Sequence, residues 1–88
     1  MANTSLEQLR SEIDRLDDRL LELLNQRAGL ARRIGRLKEE SGRDVYDPGR
    51  EALVLARLGA ASSVLPPHSV REIFEAVIRA CRGLQEKN

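Results

Sequence analysis

Arg27 interrupts an otherwise apolar stripe. Leu6, Leu9, Ile13, Leu16, Leu20, Leu23, Leu30, Ile34 and Leu37 recur at steps of three and four, apart from one place between Leu23 and Leu30 that holds a guanidinium. An arginine buried without a partner costs several kcal/mol, so Arg27 pairs with a carboxylate, snorkels outward, or receives an anionic ligand. Lys38 follows eleven residues later, which on a helix is roughly 20° around the axis and about 16 Å along it. The two cations then share a face, with Ala31 and Ile34 between them where a ligand could lie. The plain alternative for Lys38 is a solvated surface position.

A second concentration of chemistry is the stretch Asp47-Pro48-Gly49-Arg50-Glu51. Asp47 suits a helix N-cap and Pro48 the first helical position, but a capping box would place Glu or Gln where Arg50 stands. Helix-dipole compensation accounts for part of Glu51, at about 0.3–1 kcal/mol, and for none of Arg50. A cation and an acceptor offered from one fixed helix start suit a small ligand that carries both a carboxylate and a hydroxyl. Arg10, seventeen residues before Arg27, lies about 100° away around the same helix. It is a surface residue flanking the stripe, or it serves the site of an antiparallel partner. Gln85 falls four residues after Cys81 on an apolar stripe, where it either needs hydrogen-bond partners or marks a fraying end. Cys81 reads as a small buried hydrophobe, with no His neighbour evident to activate it.

These residues need helices to hold them. The first stripe predicts one long helix from about residue 5 to 40, capped by Asn3, Thr4 or Ser5 and ended by Ser41-Gly42, with only Gly29 and Gly35 as weak helix formers inside. About 36 residues at 1.5 Å each give roughly 54 Å, against a diameter near 30 Å for a compact domain of this size. Such a rod must run past its own domain and bury its stripe on another copy. A loop over 42–46 leads to a second helix with Leu53, Val54, Leu55 and Leu58, ending at Gly59. After "GAASSVLPP" a third helix starts behind Pro66 and Pro67, or at Ser69 if a Ser69-x-x-Glu72 box sets it, and carries Val70, Ile73, Phe74, Val77, Ile78, Cys81 and Leu84. The fold class is all-α: three helices per chain in a single domain over 1–88, paired into a helical homodimer.

Composition removes several function classes. The 15 basic and 14 acidic residues nearly cancel, so no net field draws in nucleic acid or an anionic membrane. Tyr46 and Phe74 are the only aromatics, too few for a base-stacking platform. No run approaches the roughly 20 apolar residues of a membrane span, and Cys81 with His68 is too little for a metal cluster. One cysteine allows no internal disulfide, and the N-terminus lacks the basic and apolar regions of a signal peptide, so a cytoplasmic protein is expected. At 88 residues a folded monomer buries only roughly 60–65 % of its chain surface and is marginal alone.

Taken in order, Arg10, Arg27, Lys38, Asp47, Arg50, Glu51 and Gln85 resemble the residue set of the small all-α chorismate mutases, which rearrange chorismate to prephenate on the route to phenylalanine and tyrosine. The resemblance runs from "LEQLRSEIDRLDDRLLELLNQRAGLARRIGRLKEE" through "YDPGREALVLARL" to "IFEAVIRACRGLQ". It implies an intertwined homodimer with two active sites, both spanned by the long first helix of each chain. By the same resemblance, Arg27 and the Arg10 of a second copy clamp the substrate carboxylates. Lys38 and Gln85 donate to the ether oxygen whose bond breaks. Glu51, with the backbone near Asp47, accepts from the ring hydroxyl, and Arg50 lines the site beside it.

Cys81 stands where some members place a serine hydroxyl against a carboxylate, and a thiol is a weaker donor. No cofactor or metal is implied. The segments "IRACRGLQ" and "YDPGRE" also resemble mutase domains fused to other shikimate-pathway enzymes, so the chain reads as free-standing or as one domain of such a partnership. Two other readings stand beside this one: isochorismate-pyruvate lyase on a similar scaffold, and a non-catalytic regulatory or dimerisation module. The full set of matching charged residues favours an enzyme, because a module that needs only its seam would tolerate leucine at position 27.

Overall fold

The computed structural model describes residues 5–44, 46–61 and 63–86. Three helices occupy almost all of them: α1 (Leu6–Glu40), α2 (Pro48–Gly59) and α3 (Pro67–Glu86). Ser5 caps α1 through a full capping box. Its hydroxyl accepts from the Gln8 N–H at 3.1 Å, while the Gln8 side-chain oxygen accepts from the Ser5 N–H at 2.9 Å. The alternative caps Asn3 and Thr4 lie outside the described residues.

The far end of α1 closes in a Schellman motif. The Arg43 N–H reaches the Lys38 carbonyl at 2.8 Å and the Gly42 N–H reaches that of Glu39 at 3.2 Å, with Gly42 at φ 72°. This sharp stop matters to the site, since it turns the chain back beside Lys38 and delivers Asp47 to the start of α2. There the Asp47 carboxylate accepts from the Arg50 N–H at 3.0 Å and Pro48 takes the first turn, as the sequence predicts. The start of α3, left open between two positions, is at Pro67. The Pro66 carbonyl accepts from both Ser69 and Val70, so Ser69 sits within the first turn and does not cap it.

α3 packs against both α1 and α2, whereas α1 and α2 make no comparable contact with each other among the described residues. The shared core is small: Ala31 of α1, Val54 of α2, and Ile78 and Cys81 of α3 are the buried apolar side chains. Ile73 and Leu84, expected on the inner stripe of α3, remain 49 % and 38 % exposed, and Leu53 of α2 is 66 % exposed.

The molecule measures 61 × 25 × 14 Å, with a radius of gyration of 16.9 Å. A compact domain of this length would give roughly 12 Å. The long seam of α1 explains the difference, since Leu16 is 60 % exposed, Leu20 56 % and Leu37 64 %. In the single chain Arg27 is half-buried, because the apolar seam around it is itself uncovered.

Candidate active site

The three helices enclose a cleft of about 300 Å³. From α1 it is lined by Arg27, Leu30, Ala31, Ile34 and Lys38. The start of α2 adds Asp47, Arg50, Glu51 and Val54, and α3 adds Ile78, Cys81, Arg82 and Gln85. Each group arrives for a local reason. The spacing of Arg27, Ala31, Ile34 and Lys38 keeps one face of α1 inward, with the cations at its two ends and small or apolar residues between. Capping by Asp47 fixes the first turn of α2, so Arg50 and Glu51 leave the backbone in set directions. Gln85 is helical and half-buried, which removes the frayed-end alternative, and its backbone lies directly against Gly35 of α1.

Of the side chains singled out in the sequence, Arg27, Lys38, Asp47, Arg50, Glu51, Cys81 and Gln85 all line this one cleft. Arg10 does not. It sits about 26 Å along α1 from Arg27 at 1.5 Å per residue, out of reach of its own chain's cleft. Cys81 is buried and free at the cleft wall.

Arg82 was not anticipated. It forms a two-point ion pair with Glu51, Nε to Oε2 at 2.9 Å and Nη2 to Oε1 at 2.8 Å, with both side chains partly buried. Its guanidinium carbon lies 4.7 Å from the centroid of the Tyr46 ring. One local signal was available: Arg82 follows Ile78 by four and precedes Gln85 by three, at the edge of the inner stripe of α3. Its pairing across 31 residues with Glu51 is tertiary and leaves no trace in the periodicity.

The lining carries four cationic side chains, Arg27, Lys38, Arg50 and Arg82, against two carboxylates, Asp47 and Glu51. Cationic side chains therefore outnumber carboxylates in the lining by two, with Glu51 paired to Arg82 and the Asp47 carboxylate also capping α2. Such a site selects a small anion, and two cations at opposite ends favour one with charge at both ends.

The helical scaffold converges three arginines, a lysine and a glutamine on one cleft, a set suited to binding and electrostatics. The chain belongs to the chorismate mutase type II family, whose model matches residues 9–86. Among solved structures it is similar to the form II chorismate mutase of Thermus thermophilus, at 37 % identity and a TM-score of 0.92, over 94 % of this chain and 96 % of that one. It is also similar to the chorismate mutase of Helicobacter pylori in complex with prephenate, at 34 % identity and a TM-score of 0.85, over 96 % and 92 % of the two chains. Among curated proteins it is 36 % identical over 87 residues to the bifunctional chorismate mutase/prephenate dehydratase of Aquifex aeolicus, over 93 % of this chain and 24 % of that protein. The chain thus spans about a quarter of the length of such curated relatives.

Proposed function

We propose that the cleft binds chorismate and catalyses its rearrangement to prephenate. The observation that carries this reading is the convergence of Arg27, Lys38, Glu51 and Gln85, from three helices, on one cleft of about 300 Å³. That volume lies at the small end of ligand sites and suits a compact dianion. A relative at 34 % identity has been solved with prephenate bound, which supports the same assignment.

The reaction is unimolecular: one ether C–O bond breaks as a C–C bond forms, and no proton or group leaves. The site therefore has two tasks. Arg27 grips a carboxylate and Glu51 accepts from the ring hydroxyl, which together hold the flexible enolpyruvyl ether in its reactive chair-like form. Lys38 and Gln85 donate to the ether oxygen, where negative charge builds up in the transition state, and a donor of this kind is worth about 10²–10³ in rate.

The active form in this reading is a homodimer. The exposed seam of α1, with Leu16, Leu20, Leu23 and Leu30 each more than half exposed, calls for an apolar cover, and full burial is worth roughly 1.5–3 kcal/mol per large side chain. A second copy running antiparallel supplies that cover, intertwines the chains, and brings its own Arg10 to the second carboxylate. A fused or associated enzyme that consumes prephenate also fits, since the Aquifex aeolicus relative is named as a bifunctional protein of that kind.

The experiment is product analysis by proton NMR with chorismate and, in a parallel sample, isochorismate. Prephenate from the first with no pyruvate from the second supports the mutase. Pyruvate release from isochorismate with chorismate untouched would replace it with the lyase.

A further inference from the structure

We propose that Arg82 is a positioning residue for this reaction: it holds the Glu51 carboxylate in the plane from which Glu51 accepts the substrate's ring hydroxyl. The inference rests on the mutase reading above. Arg82 meets both oxygens of Glu51, at 2.9 and 2.8 Å. A planar guanidinium fork matched to a carboxylate fixes the rotation of that carboxylate as well as its position. Glu51 has three side-chain torsions and a partly exposed side chain at the start of α2, so without the fork its acceptor lone pairs would sample many directions. Each carboxylate oxygen keeps a further lone pair when Arg82 is bound, which leaves room for a hydroxyl donor.

Arg82 is itself held. Its guanidinium lies over the Tyr46 ring, which comes from the loop that carries Asp47 into α2. One side chain of α3 thus braces the loop and the first turn of α2, the same turn that presents Arg50. There is also an electrostatic consequence. A bare carboxylate in the cleft would repel an approaching dianion, and Arg82 offsets that charge while leaving the acceptor sites in place.

The test is steady-state kinetics with chorismate on the full chain for wild type, Arg82→Lys, Arg82→Met, Glu51→Gln and the double variant Arg82→Met/Glu51→Gln, each with its thermal unfolding. Arg82→Met is expected to lower kcat/KM by about 10²-fold, the scale of a misplacement near 1 Å, and Arg82→Lys to restore only part of it. The loss should depend on Glu51: in the Glu51→Gln background, removing Arg82 should cost less than about threefold, because no carboxylate remains to be oriented. A merely structural arginine would give losses that multiply. That result, or Arg82→Met within about twofold of wild type, would overturn the proposal. If the methionine variant does not fold, Arg82→Lys decides, and wild-type kcat/KM in it would refute the need for the fork. A wild-type chain inert toward chorismate overturns the mutase reading and this proposal with it. An active wild type with independent losses overturns this proposal alone.

Discussion

Gly35→Ala should disable the site while leaving the protein folded. A Cβ at residue 35 would stand 2.9 Å from the Cα of Gln85, 3.1 Å from its carbonyl oxygen and 3.2 Å from its Cβ. Carbon–carbon contacts are comfortable at about 3.5–4.0 Å, so α3 must withdraw by roughly 0.5–1 Å at Gln85. The nearest two obstructing atoms are backbone, and no change of rotamer relieves them. Overpacking of this kind costs about 1–3 kcal/mol, offset by about 1 kcal/mol from replacing glycine inside a helix. The net, about 0–2 kcal/mol, lowers Tm by no more than about 15 °C for a domain of this size.

In the proposed mechanism the same displacement would carry Gln85 away from the ether oxygen, and a shift near 1 Å can cost about 10²-fold in rate. The assay pairs thermal unfolding with kcat and KM for chorismate. Gly83→Ala is the control: nothing lies within 4 Å of its added Cβ, so it should gain about 0.5–1 kcal/mol with turnover unchanged. Gly35→Ala with wild-type kcat/KM would refute the reasoning, because it would show that Gln85 is not held in place by this contact.

Other outcomes follow from the proposed roles. Lys38→Ala should lower kcat by about 10²–10³-fold with little change in Tm, and unchanged turnover with a large Tm loss would make Lys38 structural. Gln85→Glu can donate to the ether oxygen only when protonated. Its activity should appear as pH falls toward the ordinary glutamic acid value of about 4.3 and be lost above it, whereas a flat pH profile would argue against the donor role. Mixing Arg10→Ala with Arg27→Ala under confirmed chain exchange should restore about a quarter of wild-type activity, since random pairing makes half the dimers mixed and each mixed dimer has one intact site. No recovery would count against a site shared between chains.

The elements that local chemistry specifies were legible in the sequence. Apolar steps of three and four pointed to the long helix, Asp47 marked the start of α2, Asn3, Thr4 or Ser5 bracketed the start of α1, and Gly42 and Gly59 marked two ends. The rod's length also revealed that one chain leaves its seam uncovered. Most of the site was visible for a related reason, since polar residues stood where the apolar pattern had no use for them, at Arg27 and Gln85 above all.

What stayed hidden depends on which helix meets which. Gly29 and Gly35 look equivalent in sequence, yet nothing lies near a Cβ at the first and α3 backbone fills that space at the second. Arg82 gains its partner only when the fold brings Glu51 of α2 to it. The start of α3 was ambiguous because Pro67 and the Ser69–Glu72 pair are both valid helix starts, and the Pro66 carbonyl decides between them.

In the proposed function this cleft, built around Arg27, rearranges chorismate. The measurement that tests it most directly is the loss of chorismate ultraviolet absorbance with the purified wild-type chain at neutral pH, beside Arg27→Ala, with prephenate identified as the product. Rapid loss in the wild type that the variant abolishes is the predicted result. A folded wild type that leaves chorismate unchanged, or an Arg27→Ala variant as fast as wild type, would contradict it.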